Sequence, residues 1–158
     1  MDFDAAFDEV IKHEGGFVDH PLDKGGATRW GVTEAVAREN GYEGKMQDFP
    51  IEMAKRIYRD SYWMPIRADL LPPTVRYAVF DAAINSGVRR AVMWLQEAVG
   101  AKPDGIIGPQ TLALVRDSNP EKLLRVYLAQ RLAFMASLSN WPAFGRGWAR
   151  RIAALLEM

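Results

Sequence analysis

The chain has 158 residues, 49% of them hydrophobic and 25% charged, a composition that suits one globular domain, or one and a half, with a sizeable core. It holds no cysteine, which excludes disulfide and thiolate chemistry, and no apolar run approaches the roughly 20 residues that span a bilayer. Formal net charge is zero, yet residues 1–88 carry ten Lys/Arg against fifteen Asp/Glu, net −5, while residues 89–158 carry ten against five, net +5.

The N-terminus MDFDAAFDEV is acidic and lacks the positive-then-apolar pattern of a secretory signal, so synthesis in the cytoplasm is expected. Phe3, Phe7, Val10 and Ile11 recur at helical spacing, which predicts an amphipathic helix over 3–14, with Gly15 as its stop. Residues 15–32 have no period and many turn formers, so they read as a loop or a small irregular hairpin. Thr33 suits the cap of a short helix ending at Asn40-Gly41. Asp48 and Pro50 announce another helix, with Ile51, Ala54, Ile57 and Tyr58 on its buried side. Pro72-Pro73 opens a long helix carrying Val75, Ala78, Val79 and Ala82 and closing at Gly87; residues 88–99 give the next. Lys102 to Pro109 is a Gly/Pro-rich turn, and a short helix follows from Gln110 to Arg116. Asn119-Pro120 starts a long helix to about Ser137, and Trp148, Ile152 and Leu155 mark a final one. Leu95, Val99, Ile106, Ile107, Leu112 and Val115 are the core candidates of the second half. The expected fold is mainly α, with at most a small irregular β element.

The chemistry concentrates in HEGGFVDHPLDKGGATRWGVT, from His13 to Thr33. Glu14 continues the apolar stripe of its helix and sits in the last turn. Apolar surroundings and the negative end of the helix dipole both push a carboxyl pKa upward. A carboxyl protonated near neutral pH is what a general acid needs. The competing reading is a surface Glu at a frayed helix end, and residue type alone leaves the two near even. Asp23 and Thr28 are short polar groups that suit either an Asx-turn and a cap, or the steering of a water. Trp30 is either a sugar platform or a plug for the loop. His13 and His20 lack a third ligand, so no metal and no cofactor are expected.

Tyr77, Asp81 and Asn85 stand at i, i+4 and i+8 and share one helix face. Asp81 and Asn85 suit hydrogen bonds to sugar acetamido groups, and Tyr77 suits ring stacking; core packing competes for Tyr77 and capping for Asn85. Asp104-Gly105 reads as a turn. Arg146, Arg150 and Arg151 form a basic patch, suited to an anionic wall or lipid headgroups, or a solvated face.

The stretch EGGFVDHPLDKGGATRWGVT (Glu14–Thr33) resembles the signature of glycoside hydrolase family 108, close to E-G-G-[YF]…D-x-G-G-x-T-x-x-G-[IV]-T. FDAAINSG (Phe80–Gly87) resembles a helix end in the same proteins. VMWLQEAVGAKPDGIIGPQTL (Val92–Leu112) resembles their peptidoglycan-binding region, with Leu95-Gln96, Asp104-Gly105 and Gly108–Thr111 at its marked positions. The resemblance implies a lysozyme-like helical fold, with a catalytic region over 1–88 and a helical peptidoglycan-binding-like region over 89–158. It implies cleavage of the β-1,4 bond between N-acetylmuramic acid and N-acetylglucosamine by a phage endolysin-type, bacteriolytic muramidase. Glu14 is then the general acid, with Asp23 and Thr28 catalytic beside it and Trp30, Tyr77, Asp81 and Asn85 on substrate. The spacing is also similar to phage-type lysozymes, which place eight residues between Glu and Asp and five between Asp and Thr. Glu14 and Asp23 keep the first gap; Thr28 comes one residue short, which leaves Thr33 as a rival hydroxyl. A lytic transglycosylase and a non-catalytic wall-binding or secretion-associated protein are the alternatives. Peptidoglycan is the expected partner, with no nucleic acid, no stable membrane anchor and a monomeric chain. Action on the wall is expected in the periplasm after holin-assisted release.

Overall fold

Helices carry the chain, as its periodicity predicts. A computed structural model of the protein describes residues 1–19 and 26–158, with Glu14 described by its backbone alone. Among the described residues the fold is mainly α: eight α-helices and one two-stranded antiparallel sheet. It divides into two compact units, Met1–Trp63 and Met64–Met158.

In the first unit, α1 spans Phe3–Glu14 and starts where the Asp2 carboxylate accepts a hydrogen bond from the Ala5 amide at 2.9 Å. Its apolar face, Phe3, Ala6, Phe7 and Val10, is buried. The hairpin strands β1 (Thr28–Arg29) and β2 (Val32–Thr33) follow, in register Thr28 to Thr33 and Arg29 to Val32. Helix α2 (Glu34–Glu39) is capped by the Thr33 hydroxyl, as its sequence predicts. Helix α3 (Ile51–Tyr58) buries Ala54, Ile57 and Tyr58. Ile51, expected inside, is 38% exposed, because it starts the first turn and has no preceding turn to pack beneath.

Sequence periodicity does not reveal how α3 ends. It runs into a π-helical turn, Arg59–Trp63, which widens the spacing to five residues. Tyr58 and Trp63 then both reach α1: Tyr58 meets Phe7 edge-on at 5.5 Å and Trp63 meets Phe3 at 5.3 Å.

In the second unit α4 (Pro73–Ser86) is buried nearly all round, at Val75, Tyr77, Ala78, Val79, Phe80, Asp81, Ala82 and Ala83. A helix apolar on every side belongs in the middle of a bundle. Here α5 (Val88–Val99) and α7 (Pro120–Ala136) pack on it; α6 (Pro109–Asp117) joins α5, and α8 (Trp141–Glu157) lies along α7. The Asn119 side chain caps α7, with Pro120 at the first position. Helix α8 begins seven residues before Trp148, the first position that marked it in the sequence.

Candidate active site

The candidate catalytic stretch begins at the end of α1. Glu14 is the last residue of that helix, and the Gly15 amide still donates to the Ile11 carbonyl at 3.2 Å. Gly15 takes φ +70°, a conformation that costs a side-chain-bearing residue roughly 1–2 kcal/mol, so the glycine lets the chain leave the helix sharply. The side chain of Glu14, and Asp23 entirely, lie outside the described residues.

Beyond the turn, Val18 and Thr28 exchange two backbone hydrogen bonds, 2.8 and 2.7 Å. Thr28 is thereby held between Val18 on one side and Thr33 on the other. It is half-buried, and its hydroxyl makes no hydrogen bond among the described residues. The rival hydroxyl is committed: Thr33 Oγ1 accepts from the Val36 amide at 3.3 Å as the cap of α2. The hairpin turns through Trp30 and Gly31, both at positive φ, +54° and +71°. Two such residues make the tight turn that matches strand twist, where Asn-Gly is the usual pair. A tryptophan in the first place is strained. Two contacts hold it: indole Nε1 donates to the Phe49 carbonyl at 3.1 Å, and the Arg29 guanidinium lies 5.0 Å from the ring centre. Trp30 therefore plugs the hairpin onto its unit by one edge, and the residue as a whole is half-buried.

The second unit places Tyr77, Asp81 and Asn85 on α4, where the sequence puts them, but in a different setting. Asp81 is 1% exposed. Its Oδ1 accepts from Arg151 Nε and Nη2 at 2.8 and 2.6 Å, and Oδ2 lies 2.8 Å from Arg131 Nη2, a close charge contact without hydrogen-bond alignment. Arg131 is itself 1% exposed. Carboxylate and guanidiniums thus tie α4 to α7 and α8, and a sugar contact by Asp81 gives way to this ion pair. Tyr77 is buried as well, so stacking on a sugar ring is corrected to core packing. Asn85 is exposed, with Nδ2 donating back to the Asp81 carbonyl at 2.7 Å, and is the member of the trio with a surface to offer. The same ion pair removes Arg151 from the basic patch; Arg146 and Arg150 remain exposed. Sequence reasoning missed this link because its partners stand 50 and 70 positions away from Asp81.

The Leu95-Gln96, Asp104-Gly105 and Gly108–Thr111 positions form one buried lock. Gln96 is 1% exposed. Its Nε2 approaches Asp104 Oδ1 at 2.8 Å, the Ile106 carbonyl at 3.0 Å and Thr111 Oγ1 at 3.2 Å; its Oε1 accepts from the Gly105 amide at 2.9 Å. Asp104 also accepts from the Ile106 amide, and these two bonds, with Gln96 foremost, hold its carboxyl below the ordinary value. Gly105 sits at φ +82°, and a Cβ there would lie 2.8 Å from Arg89 Cγ. The turn expected at Asp104-Gly105 is present and held by side-chain hydrogen bonds. It also points Ile106 outward, 70% exposed, against the core position expected for it. A cavity of 220 Å³ lies between the end of α5 and the start of α7, lined by Val99, Asn119, Lys122 and Val126 among others. It is smaller than sites that enclose a ligand.

Residues 7–87, just over half of the chain, match the family model described as glycosyl hydrolase 108. The chain belongs to the glycosyl hydrolase 108 family. As a glycosyl hydrolase 108 protein it carries a second match over residues 90–153, to a predicted peptidoglycan domain. The two matches meet near Gly87, whereas the compact units meet at Trp63. The solved structure of Brucella abortus SagA is similar over 98% of this chain and 91% of that one, at 38% identity and a TM-score of 0.86. No curated protein matches the chain. A glycosyl hydrolase sequence joined to a peptidoglycan domain makes this family member a glycoside hydrolase that acts on peptidoglycan and hence on the cell wall.

Proposed function

We propose that the protein is an endolysin-type N-acetylmuramidase, cleaving the β-1,4 bond between N-acetylmuramic acid and N-acetylglucosamine. Glu14, entering protonated, gives its proton to the leaving O4 as the glycosidic bond breaks. A water adds to the anomeric carbon from the opposite face and passes its proton to Asp23, which also stabilises the oxocarbenium-like transition state. Thr28 holds that water by its hydroxyl. Trp30 lends its ring to a sugar. Asp81 and Tyr77 act only as support for α4. This water-mediated course inverts the anomeric centre.

The observation that carries the reading is the contrast between two hydroxyls. Thr33 accepts from the Val36 amide as the cap of α2, while Thr28, pinned by two backbone bonds to Val18 and in register with Thr33, has a hydroxyl with no partner among the described residues. A reactive water needs a fixed group with a free acceptor and donor. Further support comes from Glu14 itself, which closes α1 against a left-handed glycine inside the family match.

The test is Glu14→Gln on outer-membrane-permeabilised cells. The variant is expected to abolish turbidity loss with unchanged folding and wall binding. Lysis at the parent rate would overturn the assignment.

A further inference from the structure

The N-terminal half of α8 presents a surface that the ion pairs and core leave unused. Phe144 is 56% exposed and stacks on Trp148, ring centres 5.8 Å apart and planes 27° apart. Trp148 in turn meets Trp141 at 6.0 Å. Trp141 is seated by Gly145: a Cβ there would lie 2.5 Å from the indole, so the glycine is the notch that receives the ring. The aromatic group is thus braced from below and shows Phe144 at its edge.

Three and four residues apart on a helix are neighbours. Phe144 therefore borders Gly147, and Gly147 borders Ala143 and Arg150; Arg146 stands beside Arg150. Ala143, Arg146, Gly147 and Arg150 are all exposed. Neither arginine has an ion-pair partner among the described residues. The result is a shelf with an aromatic ring on one side, a low floor of Ala143 and Gly147, and two free guanidiniums on the other.

We infer that this shelf, from Phe144 to Arg150, is a docking surface for the glycan strand of peptidoglycan, ring against sugar and guanidiniums against stem-peptide carboxylates. The inference rests on the reading that peptidoglycan is the substrate. Charge complementarity supports this occupant: residues 89–158 carry net +5, and both arginines are exposed with no ion-pair partner among the described residues. Aromatic faces stack on sugar C–H groups, and guanidinium forks fit carboxylates. The shelf also lies inside the peptidoglycan-domain match, 90–153. A lipid surface fits less well. Insertion needs a continuous apolar face, and the apolar stripe of α8, with Gly145, Ile152 and Leu155, is already buried. What remains outside is one ring and a small-residue floor.

The test is retention on purified sacculi in the Glu14→Gln background, where the wall stays intact. Phe144→Ala with Arg146→Ser and Arg150→Ser is expected to weaken retention about tenfold, with an unchanged thermal melt. Should the triple variant unfold, the two serine substitutions alone give the measurement, with a smaller loss. The same proteins are run on vesicles of phosphatidylglycerol. Unchanged retention on sacculi overturns the inference, and so does a loss confined to vesicles. A parent protein that digests sacculi without being retained also overturns it, while leaving the muramidase reading in place. A parent that neither digests nor binds sacculi defeats that reading itself.

Discussion

The hairpin of the first unit and the helical bundle of the second use polar residues in opposite ways. In the bundle they are turned inward and engaged: Asp81 hydrogen-bonded to Arg151 and in charge contact with Arg131, Gln96 bonded to Asp104, Gly105, Ile106 and Thr111. In the hairpin the backbone is closed while side chains stay open: Thr28 is fixed by two main-chain bonds to Val18, its hydroxyl without a partner among the described residues, and Trp30 sits strained at φ +54° and half-buried. A matched buried group stabilises a fold. An unmatched group on a fixed backbone is available to a substrate.

Substitutions in the two regions should therefore separate stability from activity. The largest effect is expected at Asp81. Asp81→Ala leaves Arg131 buried without its counter-charge, and should cost about 3–5 kcal/mol in chemical denaturation. A loss below about 1 kcal/mol would make the pair incidental. Next comes Thr28→Val, expected to lower muramidase turnover about 100-fold through a misplaced water while the melting temperature hardly moves. A large fall in melting temperature with turnover intact would reverse the contrast between the regions. Gln96→Leu removes the lock of the 104–111 turn and strands the Gly105 amide, at roughly 1–3 kcal/mol, read by denaturation and by faster amide exchange at Gly105. The smallest effect is acid loosening of the same turn. Asp104 has a lowered carboxyl pKa, so its contribution is full above the ordinary carboxylate range and is lost as pH falls through the lowered value. The protection factor of the Ile106 amide, the exchange rate of the unstructured amide divided by its own at the same pH, should fall only there, in acid, and stay flat at higher pH.

The sequence makes local things legible. Caps at Thr33 and Asn119, prolines at helix starts and the apolar periods of α1, α4 and α7 mark their elements, because each signal acts within one or two turns. What it hides is set at long range. The π-turn at Arg59–Trp63 exists because Trp63 packs on Phe3, sixty positions away. Ile106 is turned outward by Gln96, ten positions earlier and on another element. Asp81 looked like a sugar ligand because its helix face is readable while its partners on α7 and α8 are not. Of the site, the order Glu14, Gly15, Thr28, Trp30 was legible in type and spacing. The cap at Thr33 was legible too; the strand pairing of Thr28 with Val18 was not, since it joins positions ten apart across an aperiodic loop.

The most direct measurement is mass spectrometry of the muropeptides that the protein releases from purified sacculi. A protein in which Glu14 protonates the leaving oxygen and a water held by Thr28 attacks should yield products with reducing N-acetylmuramic acid ends, and Glu14→Gln should yield none. Products ending in 1,6-anhydro-muramic acid, or reducing ends persisting with Glu14→Gln, would contradict the account.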